Sequence, residues 1–133
     1  MFRFRLFRAK PAPRDPSTAL TFEHLRQANL RRSEVGFGQP IDAFDPSDRF
    51  LEVLGELGEA ANAYKKIVRT KKGGARGNKG ATIEELRAKL RLELGDTLVT
   101  LDLVCQGLGI CLEEAAIDSF NSKSREIGYD GFL

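Results

Sequence analysis

The chain has 133 residues, of which 41% are hydrophobic and 30% are charged, and its formal net charge is +2. This composition is typical of a globular protein, and the length suffices for one domain with its own core. No apolar run reaches the roughly 20 residues of a membrane-spanning helix, and two cysteines with a single histidine argue against a zinc site.

The first predicted segment is a basic N-terminal arm, residues 1–16. Arginines interrupt each of its apolar stretches, unlike a secretory signal, so we expect a cytoplasmic protein with no membrane contact. Alternating apolar residues at Phe2, Phe4 and Leu6 are compatible with a short strand. The positive charge is compatible with a contact to nucleic acid or to a neighbouring subunit, and equally with a plain solvated tail.

Residues 17–133 are predicted to form one helical domain. Its first helix is expected to be capped by Ser17 or Thr18, to run through FEHLRQANLRRSEV, and to end before Gly36. A loop rich in Gly, Pro and Asp follows. The second helix is expected from about Arg49 to Arg69, with Ser47 or Asp48 as its cap.

A glycine-rich basic connector, RTKKGGARGNKG, separates the second and third predicted helices. Thr82 and Glu85 have the spacing of a capping box, which opens a third helix that ends near Gly107. A fourth helix is expected from Leu112 to about Arg125. Four helices with short connections indicate an all-α fold, an antiparallel four-helix bundle.

Acidic residues form a column on the second helix. Glu52, Glu56 and Glu59 follow one another at one-turn spacing, and Lys66 continues their column. The column lies at the edge of a predicted broad apolar face, made of Phe50, Val53, Leu54, Leu57, Ala60, Ala61, Tyr64 and Val68.

The third helix repeats this arrangement. Glu93, Asp96, Thr97 and Thr100 are predicted to lie between two apolar stripes, so the two acids should be partly desolvated. One stripe consists of Leu90, Leu94, Leu98, Leu101 and Cys105, and the other of Leu92, Val99 and Leu103. Clustered carboxylates repel one another, and a divalent cation relieves that repulsion. Because every candidate ligand is a hard oxygen, Mg²⁺ is expected, with Mn²⁺ as a possible substitute.

Three glycines flank these acids: Gly55 and Gly58 beside Glu56, and Gly95 between Glu93 and Asp96. A glycine inside a helix costs up to about 1 kcal/mol relative to alanine. We therefore expect backbone or ligand to approach closely there.

The segments GELGEAANAYKK, LELGDTLVTLDLV and GICLEEAAIDSFNSKSREIGY together resemble the MazG-like family of all-α nucleotide pyrophosphohydrolases, over residues 22–129. The family has an ExxE motif on one helix and an ExxD motif on the next. The matching positions here are Glu56 with Glu59, and Glu93 with Asp96, and these four are the implied metal ligands.

The resemblance also implies a reaction: hydrolysis of a nucleoside triphosphate to the monophosphate and pyrophosphate, with Glu56 or Glu59 as the base that activates water. It implies a homodimer or a dimer of dimers. Basic and amide residues near the motifs become candidate substrate ligands: Lys66, Asn121, Lys123 and Arg125. Outer-shell candidates beside the metal are Glu52, Asn62 and Thr100.

Base recognition in the family uses the first helix and the loop after it, where this chain offers Asn29 and Phe37. Two alternative functions stay open. A related pyrophosphohydrolase could act on phosphoribosyl-ATP or on alarmone nucleotides. A non-catalytic helical dimer could bind nucleic acid through its basic segments, although the presence of all four motif acids makes a nucleic-acid partner the less favoured prediction.

Overall fold

The computed structural model describes residues 19–74 and 78–133. In these ranges the chain forms four α-helices: α1 (Phe22–Arg31), α2 (Pro46–Lys71), α3 (Ile83–Gly107) and α4 (Leu112–Ile127). The described residues include no strand, so the all-α prediction is confirmed. The predicted basic arm, the possible strand within it, and the expected caps Ser17 and Thr18 lie outside the described residues.

The first two helices begin at residues other than the predicted caps. The side-chain oxygen of Thr21 accepts the backbone N–H of His24 at 3.1 Å and caps α1. Asp45 caps α2 by accepting the backbone N–H of Ser47 at 2.7 Å. The predicted start of α2 was therefore wrong, because Pro46 takes the first helical position, where its missing N–H costs nothing.

The predicted capping box of α3 is confirmed. The hydroxyl of Thr82 accepts the backbone N–H of Glu85, and the Glu85 carboxylate accepts the backbone N–H of Thr82 at 2.8 Å. Two hydrogen bonds to the Glu85 carboxylate lower its pKa: first that from the backbone N–H of Thr82, and then that donated by the Thr82 hydroxyl at 3.1 Å. α4 ends at Ile127, later than expected, and the next residue, Gly128, has a positive φ of 68°, a common helix stop.

α3 lies between α1 and α2. Side chains at Glu59 and Glu56 of α2 meet progressively later residues of α3, Lys89 and then Glu93, so the two helices are antiparallel. α1 packs on another side of α3: Asn29 donates to the backbone oxygen of Val99 at 2.7 Å. α4 turns by 102° from α3, so the predicted bundle is not closed within one chain.

The residues of α2 that pack inward differ from the predicted apolar face. Ala60, Ala63 and Ile67 are at most 3% exposed, whereas Leu54 and Tyr64 are 62% and 58% exposed. Phe50, Leu57 and Ala61 are exposed as well. Most of the predicted apolar face is therefore exposed in one chain, because α2 turns its narrow stripe of small residues toward α3 and leaves its large side chains outside.

No single helix in the described ranges is long and apolar enough to cross a membrane, although α3 and α4 pass that test together as a bent pair.

Candidate metal centre

The acids lie in the seam where α2 and α3 pack together. On α2 the inward stripe is Val53, Glu56, Ala60, Ala63 and Ile67, each three or four residues from the next. On α3 the corresponding stripe is Leu86, Leu90, Glu93, Thr97, Thr100 and Val104. Such spacing is that of two helices packed side by side. Glu56 therefore occupies a position that apolar residues fill elsewhere in its stripe, and Glu93 lies between the apolar Leu90 and the polar Thr97.

Three of the four motif acids come together in this seam. Glu56, Glu93 and Asp96 each offer one carboxylate oxygen, and these oxygens all lie within 4.8 Å of one another. The Glu93 side chain is 14% exposed, and Glu56 is half-buried. Asp96 is exposed, so the prediction that both acids of α3 are walled in by apolar stripes holds for Glu93 and was wrong for Asp96. The reason is that Leu94 and Leu98, part of one predicted wall, face outward.

Ionisation of Glu56 is unfavourable in the metal-free protein. Burial raises the pKa of Glu56, and the negative charges of Asp96, Glu93 and Glu59 raise this pKa further. Glu56 therefore resists ionisation more than an isolated glutamate does. A bound divalent cation reverses this preference, because it favours the ionised carboxylates.

The fourth motif acid, Glu59, is engaged by a residue that the sequence analysis missed. The Lys89 Nζ lies 3.2 Å from Glu59 Oε2 and 3.3 Å from Glu93 Oε1. The signal available in the sequence was the spacing of four residues between Lys89 and Glu93 on one helix face. The contact of Lys89 with Glu59 depends on the register of α2 against α3, which the sequence does not give.

The outer-shell candidates occupy different surroundings. Glu52 accepts from Arg49 Nη1 at 2.8 Å, and that guanidinium lies 3.6 Å from the ring centre of Phe44. Asn62 is exposed, and Thr100 is half-buried one turn beyond Asp96. Lys66, a substrate candidate, lies two turns beyond Glu59. Its backbone oxygen accepts a hydrogen bond from the Thr70 hydroxyl at 3.0 Å.

The substrate candidates on α4 are not brought to the acids within one chain. Asn121 exchanges two hydrogen bonds with the backbone of Leu133, at 2.9 and 3.2 Å. Lys123 pairs with Glu126 at 2.9 Å, and the Arg125 guanidinium lies 5.7 Å from the ring centre of Phe132. α4 bends by 102° from α3, and within one chain these three side chains contact residues 126–133 (Glu126, Phe132 and Leu133), so their role as substrate ligands stays a prediction.

Asn29, a base-recognition candidate, is only 3% exposed. Its Nδ2 donates to the Val99 carbonyl and, at 3.0 Å, to Asp102 Oδ2, and its Oδ1 accepts from Arg32 Nη2 at 3.0 Å. Because these partners use its hydrogen-bonding groups, Asn29 has a packing role. Phe37 is 65% exposed.

The glycines beside the acids do not face a close neighbour within the chain. A Cβ built at Gly55, Gly58 or Gly95 meets nothing within 4 Å. Close packing by the chain's own backbone was therefore a wrong explanation for them.

The donor set fits a hard divalent cation. Carboxylate oxygens are the ligands that Mg²⁺ and Mn²⁺ prefer, and the described residues place no histidine or cysteine in the cluster.

Comparison with protein families, with curated proteins and with solved structures finds no match for this chain.

Proposed function

We propose that this protein is a Mg²⁺-dependent nucleoside triphosphate pyrophosphohydrolase of the MazG-like type. The observation that carries the proposal is the meeting of Glu56, Glu93 and Asp96 within 4.8 Å in the helix seam. Two helices bear a motif acid at an inward position where an apolar residue would stabilise the fold more. A polyphosphate substrate suits such a site, because Mg²⁺ commonly shares its ligands with substrate phosphates.

The four motif acids would hold the ion, with Glu59 joining the three that already meet. When bound, Mg²⁺ supplies neutralisation of the triphosphate charge and acidification of a water. Glu56 is the better placed base of the two candidates, because its carboxylate lies in the cluster with Glu93 and Asp96, whereas Glu59 lies outside it. It accepts the proton of the water that attacks the α-phosphorus, and the bond from that phosphorus to the bridging oxygen breaks to release pyrophosphate.

We further propose that a second copy of the chain completes the bundle, as a homodimer or a dimer of dimers. Large apolar side chains remain exposed on both helices of the seam, among them Leu54 and Leu94. α4 packs little against the rest of its own chain, so a partner's α4 is free to supply Asn121, Lys123 or Arg125 to the acids. A cytoplasmic location belongs to the same proposal.

The test is pyrophosphate release from a panel of ribo- and deoxyribonucleoside triphosphates, with and without Mg²⁺. Glu93→Gln and Asp96→Asn each remove a ligand charge and little volume. We expect them to lose more activity than the roughly 10- to 100-fold that loss of an outer-shell partner causes. Glu84→Gln, an exposed change on the same helix, is the matched control.

Circular dichroism checks that the variants keep their helices. Mg²⁺ should also raise the melting temperature of the wild-type protein and leave that of Glu93→Gln nearly unchanged. Near-normal turnover in both ligand variants would contradict the assignment. Turnover confined to phosphoribosyl-ATP or to alarmone nucleotides would keep the metal centre and change the substrate, and salt-dependent DNA binding without any turnover would favour the nucleic-acid binder.

A further inference from the structure

Lys89 connects the two helices of the metal centre through its acids. It lies one turn before Glu93 on α3 and faces Glu59 across the seam, with its Nζ 3.2 Å from Glu59 and 3.3 Å from Glu93. One ammonium thus holds two of the four motif carboxylates, one from each helix. Within the described residues, Glu59 is the motif acid that lies outside the cluster of three.

Glu93 belongs to both arrangements. It contributes an oxygen to the cluster with Glu56 and Asp96, and it is also a partner of Lys89. A divalent cation that takes Glu93 and Glu59 as ligands must therefore weaken or replace their contacts with the ammonium. Displacement is easy, because the Lys89 and Glu59 side chains are 49% and 60% exposed and such ion pairs are weak.

The displaced ammonium would remain close to the centre. Its Cα is fixed on α3 one turn from Glu93, and the lysine side chain has a flexible four-carbon stem. The strongest negative charge then within its reach would be the phosphate groups of a bound triphosphate, since the carboxylates are occupied by the ion. Ammonium groups donate charge-assisted hydrogen bonds to phosphate oxygens.

We propose that Lys89 is a positioning residue that exchanges partners when the centre loads. Without a divalent cation it neutralises Glu59 and Glu93 and holds α2 against α3. With the cation bound it releases Glu59 to the ion and turns to the triphosphate. This inference rests on the proposed function. It predicts that removing the ammonium strengthens binding of the metal ion and weakens binding of the nucleotide.

The first measurement is Mn²⁺ binding to nucleotide-free protein, followed by electron paramagnetic resonance of the free ion. Lys89→Met should bind Mn²⁺ about two- to fivefold more tightly than wild type, as expected from loss of a competing exposed ion pair. Lys89→Arg, which keeps the charge and can bridge the same acids, should stay near wild type. Arg26→Met is the matched control, because it removes an equally exposed cationic side chain that pairs with Glu23 on α1.

The second measurement is binding of a triphosphate analogue with a methylene in place of the α–β bridging oxygen, at saturating Mn²⁺. Lys89→Met should bind it more weakly than wild type, and KM for the substrate should rise more than kcat falls. Lys89→Arg should restore nucleotide binding. If Lys89 only joins the two helices, Lys89→Met should lower the stability of the protein without changing the affinities for Mn²⁺ and for the nucleotide in opposite directions.

The outcomes separate the two proposals. Unchanged Mn²⁺ affinity in Lys89→Met, with normal binding by wild type, overturns the exchange and leaves the metal centre standing. Equal gains in Mn²⁺ affinity in Lys89→Met and Arg26→Met also overturn it, since a general charge effect would then explain both. If wild type does not bind Mn²⁺, the proposal of a metal centre is overturned, and the proposed role of Lys89 falls as well.

Discussion

Buried polar residues on α1 and α3 fix the relation between these two helices. Asp102 is 2% exposed, and its Oδ2 accepts from Asn29 and from Gln106. A buried carboxylate depends on such donors, because an unpartnered charge in the interior is strongly unfavourable. The contact of α1 with α3 therefore rests on specific hydrogen bonds as well as on apolar packing.

Replacing Asn29 with Ala should destabilise the protein by about 1–3 kcal/mol, because Asp102 and the Val99 carbonyl both lose a donor in a buried setting. Urea unfolding followed by circular dichroism measures the change. Gln27→Ala is the control, since its hydrogen bond to Glu23 is exposed on the same helix. Equal effects of the two substitutions would contradict the role of Asn29.

Glu56 gives the metal-free protein a pH dependence with a definite sign. The pKa of Glu56 in the folded state is raised above 4.5. Ionised Glu56 therefore lowers the free energy of unfolding at neutral pH, and this effect is absent at a pH below 4.5, where the carboxyl is protonated in both states. Glu56→Gln should therefore be more stable than wild type at neutral pH in the presence of a chelator. The advantage should shrink as the pH falls through the raised pKa and should vanish below 4.5.

Thermal unfolding across this pH range measures the difference, with the exposed Glu34→Gln as control. A stability difference that stays constant with pH would show that the substitution acts through packing and not through ionisation. Added Mg²⁺ should reverse the order of the two proteins, because the wild type then gains a bound ligand.

At the scale of elements, α3 carries Glu93 and Asp96 and depends on its capping box. Thr82→Ala removes the hydroxyl that accepts the Glu85 N–H, and we expect a loss of about 1 kcal/mol in the free energy of unfolding. Thr82→Ser keeps the hydroxyl and should recover most of it. Because the acids lie about three turns from the cap, Mn²⁺ affinity should not change in either variant; a change would show that fraying reaches the metal centre.

Local signals in the sequence predicted these elements better than their packing. The Thr82–Glu85 pair located the start of α3 because both bonds form within four residues. The start of α2 was harder, since Asp45, Ser47 and Asp48 are all competent caps and only the position of Pro46 decides among them. The choice of inward stripe on α2 depends on what α3 presents, and no local pattern contains that information.

The same limit explains which part of the candidate site was predicted. The motif spacings placed Glu56, Glu59, Glu93 and Asp96 on two helices, and the structure brings three of them together. The contact from Lys89 to Glu59 spans 30 residues along the chain and depends on the antiparallel register. The direction of α4 depends on the turn at Gly107–Ile110, which the helical pattern does not encode.

At the scale of the whole molecule, the exposed leucines of α2 and α3 predict that two copies of the chain associate. Leu54→Lys places a charge on an α2 side chain that is 62% exposed in one chain. If a second copy covers this face, the substitution should convert a dimer to a monomer with its helical content retained. Sedimentation velocity measures the mass, and Ala88→Lys, an exposed change on α3, is the control. A monomeric wild type at micromolar concentration would contradict the proposed homo-oligomer.

The glutamates at positions 56 and 93 also bear on how the protein would respond to selection for robustness. Leucine at either position would continue the apolar stripe of its helix and would remove a mutual repulsion, so a screen for heat tolerance alone should enrich substitutions there. Each such gain would erode the capacity to take up a cation. The proposed cation site would therefore have a cost in stability, and substitutions at these two positions would show its size.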